Sequence, residues 1–314
     1  MTPPPRPVLL IACEGVDTAA WVRALREAAP GVELRVWPDA GDPASVAFGL
    51  AWGNPPGFWR AFPNLRAIFS LGAGVDRLLA DRDLPDAPIV RMNDPSLVEA
   101  MVEFVVMRTL HHHRLIHVYE RQQVAAVWRP VRPPLARNRL VGVMGLGALG
   151  GRCAQALAGL GFQVRGWSRS PRTIAGVEAF HGPAGLPSFA DACEILVCLL
   201  PLTPQTHGIL DAALFGRLAH QACLIQVGRG AHLVEADLLA ALDSGQIAAA
   251  TLDVFHQEPL PTEHPFWAHP AIRVIPHAAA FTYPETAAAV LAANLKRLQA
   301  GEPVADVVNV IAGY

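Results

Sequence analysis

The chain has 314 residues, 52% hydrophobic and 17% charged, with a formal net charge of −2 and a pI near 6.6. That length has room for two domains, and the composition excludes an intrinsically disordered chain. The near-neutral balance gives no general attraction to nucleic acid or to an anionic membrane.

The amino-terminal MTPPPRPVLLIACEGVD holds an apolar run cut short by Glu14. It is too short for a secretory signal's apolar segment, so it reads as a first buried strand. No later apolar stretch reaches transmembrane length without charge or proline. The five cysteines (Cys13, Cys153, Cys193, Cys198 and Cys223) contain no C-x-x-C pair. Free buried thiols in a reducing compartment are the simplest reading, and the expected location is cytoplasmic.

Over the first hundred residues, VLLIA is followed by the amphipathic WVRALREAA, then by VELRVW, ASVAFGLAW, LRAIFSLG and APIVRM. Short β-branched runs alternating with helical patterns predict a parallel sheet covered by helices. From Asp94, an N-cap with Pro95 in the first turn, the pattern predicts one long helix, DPSLVEAMVEFVVMRTLHHHRLIHVYERQQ. WRPVRPPLARNRL is too rich in proline to continue it. A second alternating series follows: LVGVMG, FQVRGW, EILVCLLP, ACLIQVG, AAATLDV and IRVIP. Six strand candidates make a doubly wound sheet, and ETAAAVLAANLKRLQAG closes the chain as an amphipathic helix. The fold expected is α/β with two doubly wound parallel sheets: a smaller flavodoxin-like domain over residues 1–98 and 283–314, and a Rossmann-type dinucleotide domain over 99–282. The cleft between them is the expected active site.

Gly145-Leu146-Gly147-Ala148-Leu149-Gly150 follows the strand LVGVM and opens a helix. The first glycine permits the tight turn, the second lets backbone approach a pyrophosphate, and the third allows close helix–strand packing. Unpaired amides at the helix start would face the phosphates. About twenty residues on, where an Asp or Glu would hold the adenosine ribose, the chain reads GWSRS. Ser168, Arg169 and Ser170 supply hydroxyl and guanidinium donors there, and Arg172 can add a second positive charge. A carboxylate that would repel a 2′-phosphate is missing, so NADP(H) is the expected cofactor, with NAD(H) also accepted.

Three polar residues sit just beyond strand ends: Arg229 after LIQVG, Glu258 after TLDVFHQ, and His277 after VIP. A cation can hold an anionic substrate and polarise its carbonyl, a histidine can exchange the proton, and a carboxylate can orient its ring. Each also has a plainer reading: a surface ion pair, a loop residue before Pro259, a core histidine. His111-His112-His113 looks like a metal tract, but consecutive helical residues point different ways, so no metal is expected.

These segments, with SLGAGVD (Ser70–Asp76), LLPLTPQTHGIL (Leu199–Leu210), VGRG (Val227–Gly230), EADLLAALDSGQI, LDVFHQEPL (Leu252–Leu260) and PHAAAFTYPE, resemble the D-isomer-specific 2-hydroxyacid dehydrogenases, in particular those that reduce glyoxylate and hydroxypyruvate. They span most of the chain in the family's order. The resemblance implies that Arg229 binds the substrate's carboxylate and carbonyl and that His277, paired with Glu258, donates the proton. It further implies that Gly72, Ala73 and Gly74 offer amides to the carboxylate and that Trp52 walls the substrate pocket. Asp253 would hold the nicotinamide carboxamide; Leu200, Pro201, Thr206, Val227, Gly228, His277 and Ala279 would line the cofactor. Gln226 and Gly228 depart from the residues usual in the family, Asn and Ala or Ser. The implied activity is NADPH-dependent reduction of small 2-oxo acids to glycolate or D-glycerate, in a homodimer. The rivals are a dinucleotide-sensing corepressor on the same fold, or a 2-hydroxyacid dehydrogenase with another substrate. An L-lactate or malate dehydrogenase would carry its glycine turn near the amino terminus instead.

Overall fold

The computed structural model describes residues 6–310 and 313. The chain divides into two compact units, Met1–Leu97 with Thr282–Tyr314, and Val98–Phe281.

The first unit holds strands β1 (Val8–Cys13), β2 (Glu33–Val36), β3 (Val46–Trp52), β4 (Ala67–Ser70) and β5 (Ile89–Val90), with helices α1 (Thr18–Ala28) and α2 (Asp76–Leu79). The strands run parallel in the order β2-β1-β3-β4-β5, the flavodoxin-like arrangement. β1 is an unbroken apolar run because both its faces are covered. Leu9 and Ile11 join Trp21 and Leu25 of α1 in one core, whereas Val8, Leu10 and Ala12 pack with Trp59, Phe62 and Ile68 in another. Asp17 sets the start of α1 by accepting hydrogen bonds from the Ala19 and Ala20 amides at 3.0 and 3.1 Å.

Helix α3 (Pro95–His113) leads into the second unit and is followed by α4 (Ile116–Val124). The single helix expected from Asp94 onward is therefore two. Leu115 adopts a left-handed conformation (φ 60°), and its amide bonds the His112 carbonyl at 3.0 Å. No glycine or proline marks the break; burial of His117, the second residue of α4, accompanies it.

The second unit continues with β6 (Leu140–Met144), α5 (Ala148–Gly159), β7 (Gln163–Ser168), β8 (Val177–His181), α6 (Gly182–Ala190), β9 (Ile195–Cys198), α7 (Ala212–Phe215), β10 (Ala222–Gln226), α8 (Glu235–Asp243), β11 (Ile247–Leu252) and β12 (Ile272–Val274). All strand pairs are parallel, in the order β12-β11-β10-β9-β6-β7-β8. This is the doubly wound dinucleotide-binding sheet with one strand more than the six apolar runs predicted. The addition, β8, is an edge strand whose residues VEAFH are exposed or half-buried, so no apolar run announces it. The strand order reverses between β6 and β9, which places the ligand crevice at their carboxyl ends. The last helix, α9 (Pro284–Ala300), belongs to the first unit, where it packs along α1 through Ala287, Ala288, Leu291 and Leu295. No helix among the described residues is long and apolar enough to cross a membrane.

Candidate active site

The glycine turn leaves the end of β6, and its three glycines meet three different surroundings. Gly145 has φ +97°, and a Cβ there would lie 2.6 Å from the Leu199 carbonyl oxygen. A Cβ on Gly150 would overlap the Gly145 carbonyl. At Gly147, the residue before α5, nothing lies within 4 Å of the same position. The first and third glycines thus serve the turn and the helix packing, while the second leaves an open approach to the α5 amides. Leu146 is buried beneath Gly166 of β7, so the turn rests on the strand that ends at Ser168. Ser168 is buried and donates to the Ser170 carbonyl at 2.8 Å; Arg169, Ser170 and Arg172 stand exposed just beyond it. An anionic group can reach both places: open amides at the turn, and a hydroxyl–guanidinium cluster at the next strand end.

Beyond β10 the chain is held by side chains rather than by a ladder. The Gln226 amide spans the loop, accepting from the Gly228 N–H at 3.2 Å and donating to the Arg229 carbonyl at 2.9 Å. Its departure from the family's usual Asn is therefore accommodated. The Arg229 N–H donates to Nδ1 of fully buried His232 at 3.0 Å. Because Nδ1 accepts, the ring proton sits on Nε2, 3.2 Å from the Pro201 carbonyl, which also accepts from Thr206 Oγ1 at 2.8 Å. One imidazole thereby ties the Arg229 loop to the Leu200-Pro201 loop after β9. His232 was not among the residues singled out from the sequence. The available signal was the crowding of two glycines around Arg229. A Cβ on Gly228 would lie 2.9 Å from His232 Nδ1, and one on Gly230 would overlap the Phe255 carbonyl. Gly230 seats the Arg229 loop against the Phe255–His256 backbone, three residues before Glu258.

Glu258 and His277 lie beyond neighbouring strands β11 and β12 and meet directly. His277 Nδ1 is 2.8 Å from Glu258 Oε2, while Glu258 Oε1 accepts the Phe255 N–H at 3.0 Å. The carboxylate is thus anchored to the backbone of its own loop and fixes the ring from one side, leaving Nε2 on the other. His277 is at φ 51°, a left-handed conformation that a non-glycine residue holds only when its surroundings impose it. Those surroundings are visible. The His277 N–H donates to the Asp253 carbonyl at 2.9 Å, and the Ala278 and Ala279 N–H groups donate to Asp253 Oδ1 at 2.7 and 2.9 Å. Asp253 is buried, and burial pushes its carboxyl up to about 6 from an ordinary 3.8, against the pull of those two amides and of His277. Leu200, Thr206, Val227, Gly228 and Ala279 are buried, and Pro201 is half-buried, along the same carboxyl-end loops.

In the first unit, Trp52 ends β3 and the Gly72-Ala73-Gly74 loop follows the adjacent strand β4. The Trp52 ring lies against Gly72, where a Cβ would come within 2.8 Å of Cζ3. Ser70 Oγ is 3.3 Å from the Gly74 carbonyl and ties the loop's far end to its strand. All five cysteines are free, and four of them are buried.

A glycine turn at the switch point of a seven-stranded parallel sheet, with a carboxylate-held histidine two strands beyond the arginine loop, is the equipment of a pyridine-nucleotide dehydrogenase. Comparisons with known proteins define it further. Residues 106–279 match the family model for the D-isomer specific 2-hydroxyacid dehydrogenase, NAD binding domain. The chain is 41% identical to glyoxylate/hydroxypyruvate reductase A of Yersinia enterocolitica, covering 95% of this chain and 97% of that one. A D-isomer specific 2-hydroxyacid dehydrogenase from Xanthobacter autotrophicus Py2, solved with NADPH and MES, is 43% identical and superposes with a TM-score of 0.95 over 99% of this chain and 100% of that one. An NADPH-dependent glyoxylate/hydroxypyruvate reductase from Sinorhizobium meliloti, solved with NADP and sulfate, is 39% identical, with a TM-score of 0.92 over 98% of this chain and 100% of that one. The chain belongs to the D-isomer specific 2-hydroxyacid dehydrogenase family and is an NAD(P)-dependent oxidoreductase of that family.

Proposed function

We propose that this enzyme reduces small 2-oxo acids, glyoxylate and hydroxypyruvate foremost, to the corresponding 2-hydroxy acids, with NADPH preferred over NADH. The second unit is the cofactor-binding domain and the first is the substrate-binding domain. The observation that carries the reading is the 2.8 Å contact between His277 and Glu258, beyond the two strands that lie next in sheet order after the one that leads to Arg229. A histidine aligned by a carboxylate suits proton transfer, which binding a dinucleotide alone does not require.

The open Gly147 approach fits a pyrophosphate, and Ser168, Arg169 and Ser170 fit a 2′-phosphate. Bound there, the reduced cofactor supplies a hydride for the carbonyl carbon. Arg229 would pair with the substrate carboxylate and polarise its carbonyl; in the first unit, Trp52 stands beside the Gly72–Gly74 loop, whose amides suit a carboxylate. Protonated His277 delivers its Nε2 proton to the carbonyl oxygen, so that hydride and proton together convert the carbonyl to an alcohol. Glu258 keeps the ring aimed during that transfer. Asp253 would hold the nicotinamide carboxamide, and through the Ala278 and Ala279 amides it holds the backbone on which His277 stands.

His277→Asn tests this reading directly. Turnover of glyoxylate falls by at least about a hundredfold, while NADPH binding, followed by fluorescence, changes little. Unchanged turnover overturns it.

The enzyme works as a cytoplasmic homodimer. Support comes from a run of exposed apolar side chains along α3, α4 and the stretch after them: Met107, Ile116, Val124, Val127, Trp128 and Leu135, with Trp128 98% exposed. Trp128→Glu should shift the mass measured by light scattering from dimer to monomer.

A further inference from the structure

Away from the glycine turn and the strand-end residues, three ligating side chains converge inside the second unit. His112 stands near the end of α3, His117 near the start of α4 and Cys223 in β10; they are 2%, 6% and 5% exposed. One ligating atom from each lies within 4.8 Å of the other two. On an unbroken helix, residues five apart would point about 140° away from each other. The left-handed turn at Leu115 removes that constraint and brings the two imidazole centroids to 5.3 Å. Of the three consecutive histidines only His112 joins the cluster. His111 reaches toward Glu120, and His113 packs edge-on against Phe162.

The cluster is short of partners. Nδ1 of His112 and Nδ1 of His117 are both buried and without a hydrogen bond. Native interiors pair such atoms unless a ligand or water does so. The other nitrogen of His112 is already held: Nε2 is 3.2 Å from Thr251 Oγ1, which accepts from Arg108 Nε and Nη2 at 3.0 and 2.8 Å. With both Thr251 lone pairs taken, its hydroxyl donates to Nε2 and the ring proton sits on Nδ1, so an ion binding at Nδ1 shifts that proton to Nε2.

We propose that His112, His117 and Cys223 bind one borderline divalent ion of the zinc class, stapling α3, α4 and β10 together. Two imidazoles and a thiolate are the donors zinc selects, and they exclude magnesium and calcium, which take oxygen. Tetrahedral bond lengths place such ligands about 3.3–3.6 Å apart, so ring rotations of roughly an ångström close the site around the ion. Water completes the fourth position, and the ion displaces the Cys223 thiol proton.

The test uses the chelator-stripped enzyme titrated with cobalt(II), then with zinc. The expected result is a near-ultraviolet sulfur-to-cobalt charge-transfer band that saturates near one ion per chain, is displaced by zinc, and is accompanied by a rise in Tm. Cys223→Ala abolishes the band and weakens zinc binding by at least about tenfold. Should that variant fail to fold by circular dichroism, His117→Gln carries the same comparison through loss of saturable binding. No saturable band in the wild-type chain, or equal zinc affinity in wild type and a folded variant, overturns the site and leaves a buried water as the occupant.

Discussion

Cofactor choice can be reversed at the end of β7 with two substitutions. Ser168 occupies the place where a carboxylate would accept from both adenosine ribose hydroxyls; here its hydroxyl donates instead to the Ser170 carbonyl at 2.8 Å. Exposed Arg169 adds a guanidinium beside it. A charged hydrogen bond to a phosphate contributes about 1.5–3 kcal/mol, so the wild-type kcat/KM for NADPH should exceed that for NADH by about ten- to a hundredfold. Arg169→Ala removes that bond and should bring the two cofactors within a few-fold of each other. Ser168→Asp acts twice. It takes the donor from the Ser170 carbonyl, costing about 0.5–1.5 kcal/mol for either cofactor, and it sets a carboxylate against the 2′-phosphate. At about 4 Å and a surface-like dielectric that repulsion is at most about 4 kcal/mol, enough to reverse the preference toward NADH. Initial rates at saturating glyoxylate, with each cofactor varied, give the ratio. Because Arg169 is exposed, the NADPH margin should shrink as ionic strength rises. Equal kcat/KM values for the two cofactors in the wild type would refute the reasoning, as would an Arg169→Ala variant that loses both equally.

Three further outcomes follow from the same geometry. His232→Ala leaves the Arg229 N–H without its acceptor and should raise KM for glyoxylate more than it changes NADPH affinity; a loss of stability with unchanged KM would reduce His232 to a packing role. Asp253 is more easily protonated in the fold than in the unfolded chain, about 6 against 3.8, so its contribution to stability is fully present below pH about 4 and is lost as pH rises through 6, by up to about 3 kcal/mol. Asp253→Asn, whose amide oxygen can still accept from Ala278 and Ala279, should therefore raise Tm at pH 7.5 but not at pH 4, while weakening cofactor binding; a Tm difference independent of pH would contradict the sign. Trp52→Ala should raise kcat/KM for bulkier 2-oxo acids relative to glyoxylate, and a wild-type preference for phenylpyruvate over glyoxylate would show that the pocket is not small.

What the sequence reveals here is what short-range physics encodes. The glycine turn is legible because a tight turn and a helix contact exclude a Cβ at Gly145 and Gly150, and Gly147 between them leaves the helix start open, all directly after a buried strand. Arg229, Glu258 and His277 are legible as polar residues just past apolar runs, where a parallel sheet puts its ligands. The distance between Glu258 and His277 is a different matter. It exists because β11 and β12 are neighbours and because Asp253 clamps the amides after a left-handed His277, none of which the eighteen intervening residues declare. His232 was hidden for a related reason: a histidine following an arginine–glycine pair has no periodicity, and its value lies in reaching back to Pro201 across thirty-one residues. The break at Leu115 lacks even that signal, since nothing local to TLHHHRLIHV stops a helix; burial of His117 and backbone bonds at Leu115 accompany the turn. Leu115 and His277, two of the non-glycine residues with positive φ, mark places where tertiary packing overrules local preference. At His277 the imposed backbone sets the ring against its carboxylate. At Leu115 it folds His117 back toward His112, bringing the two ring centroids to 5.3 Å.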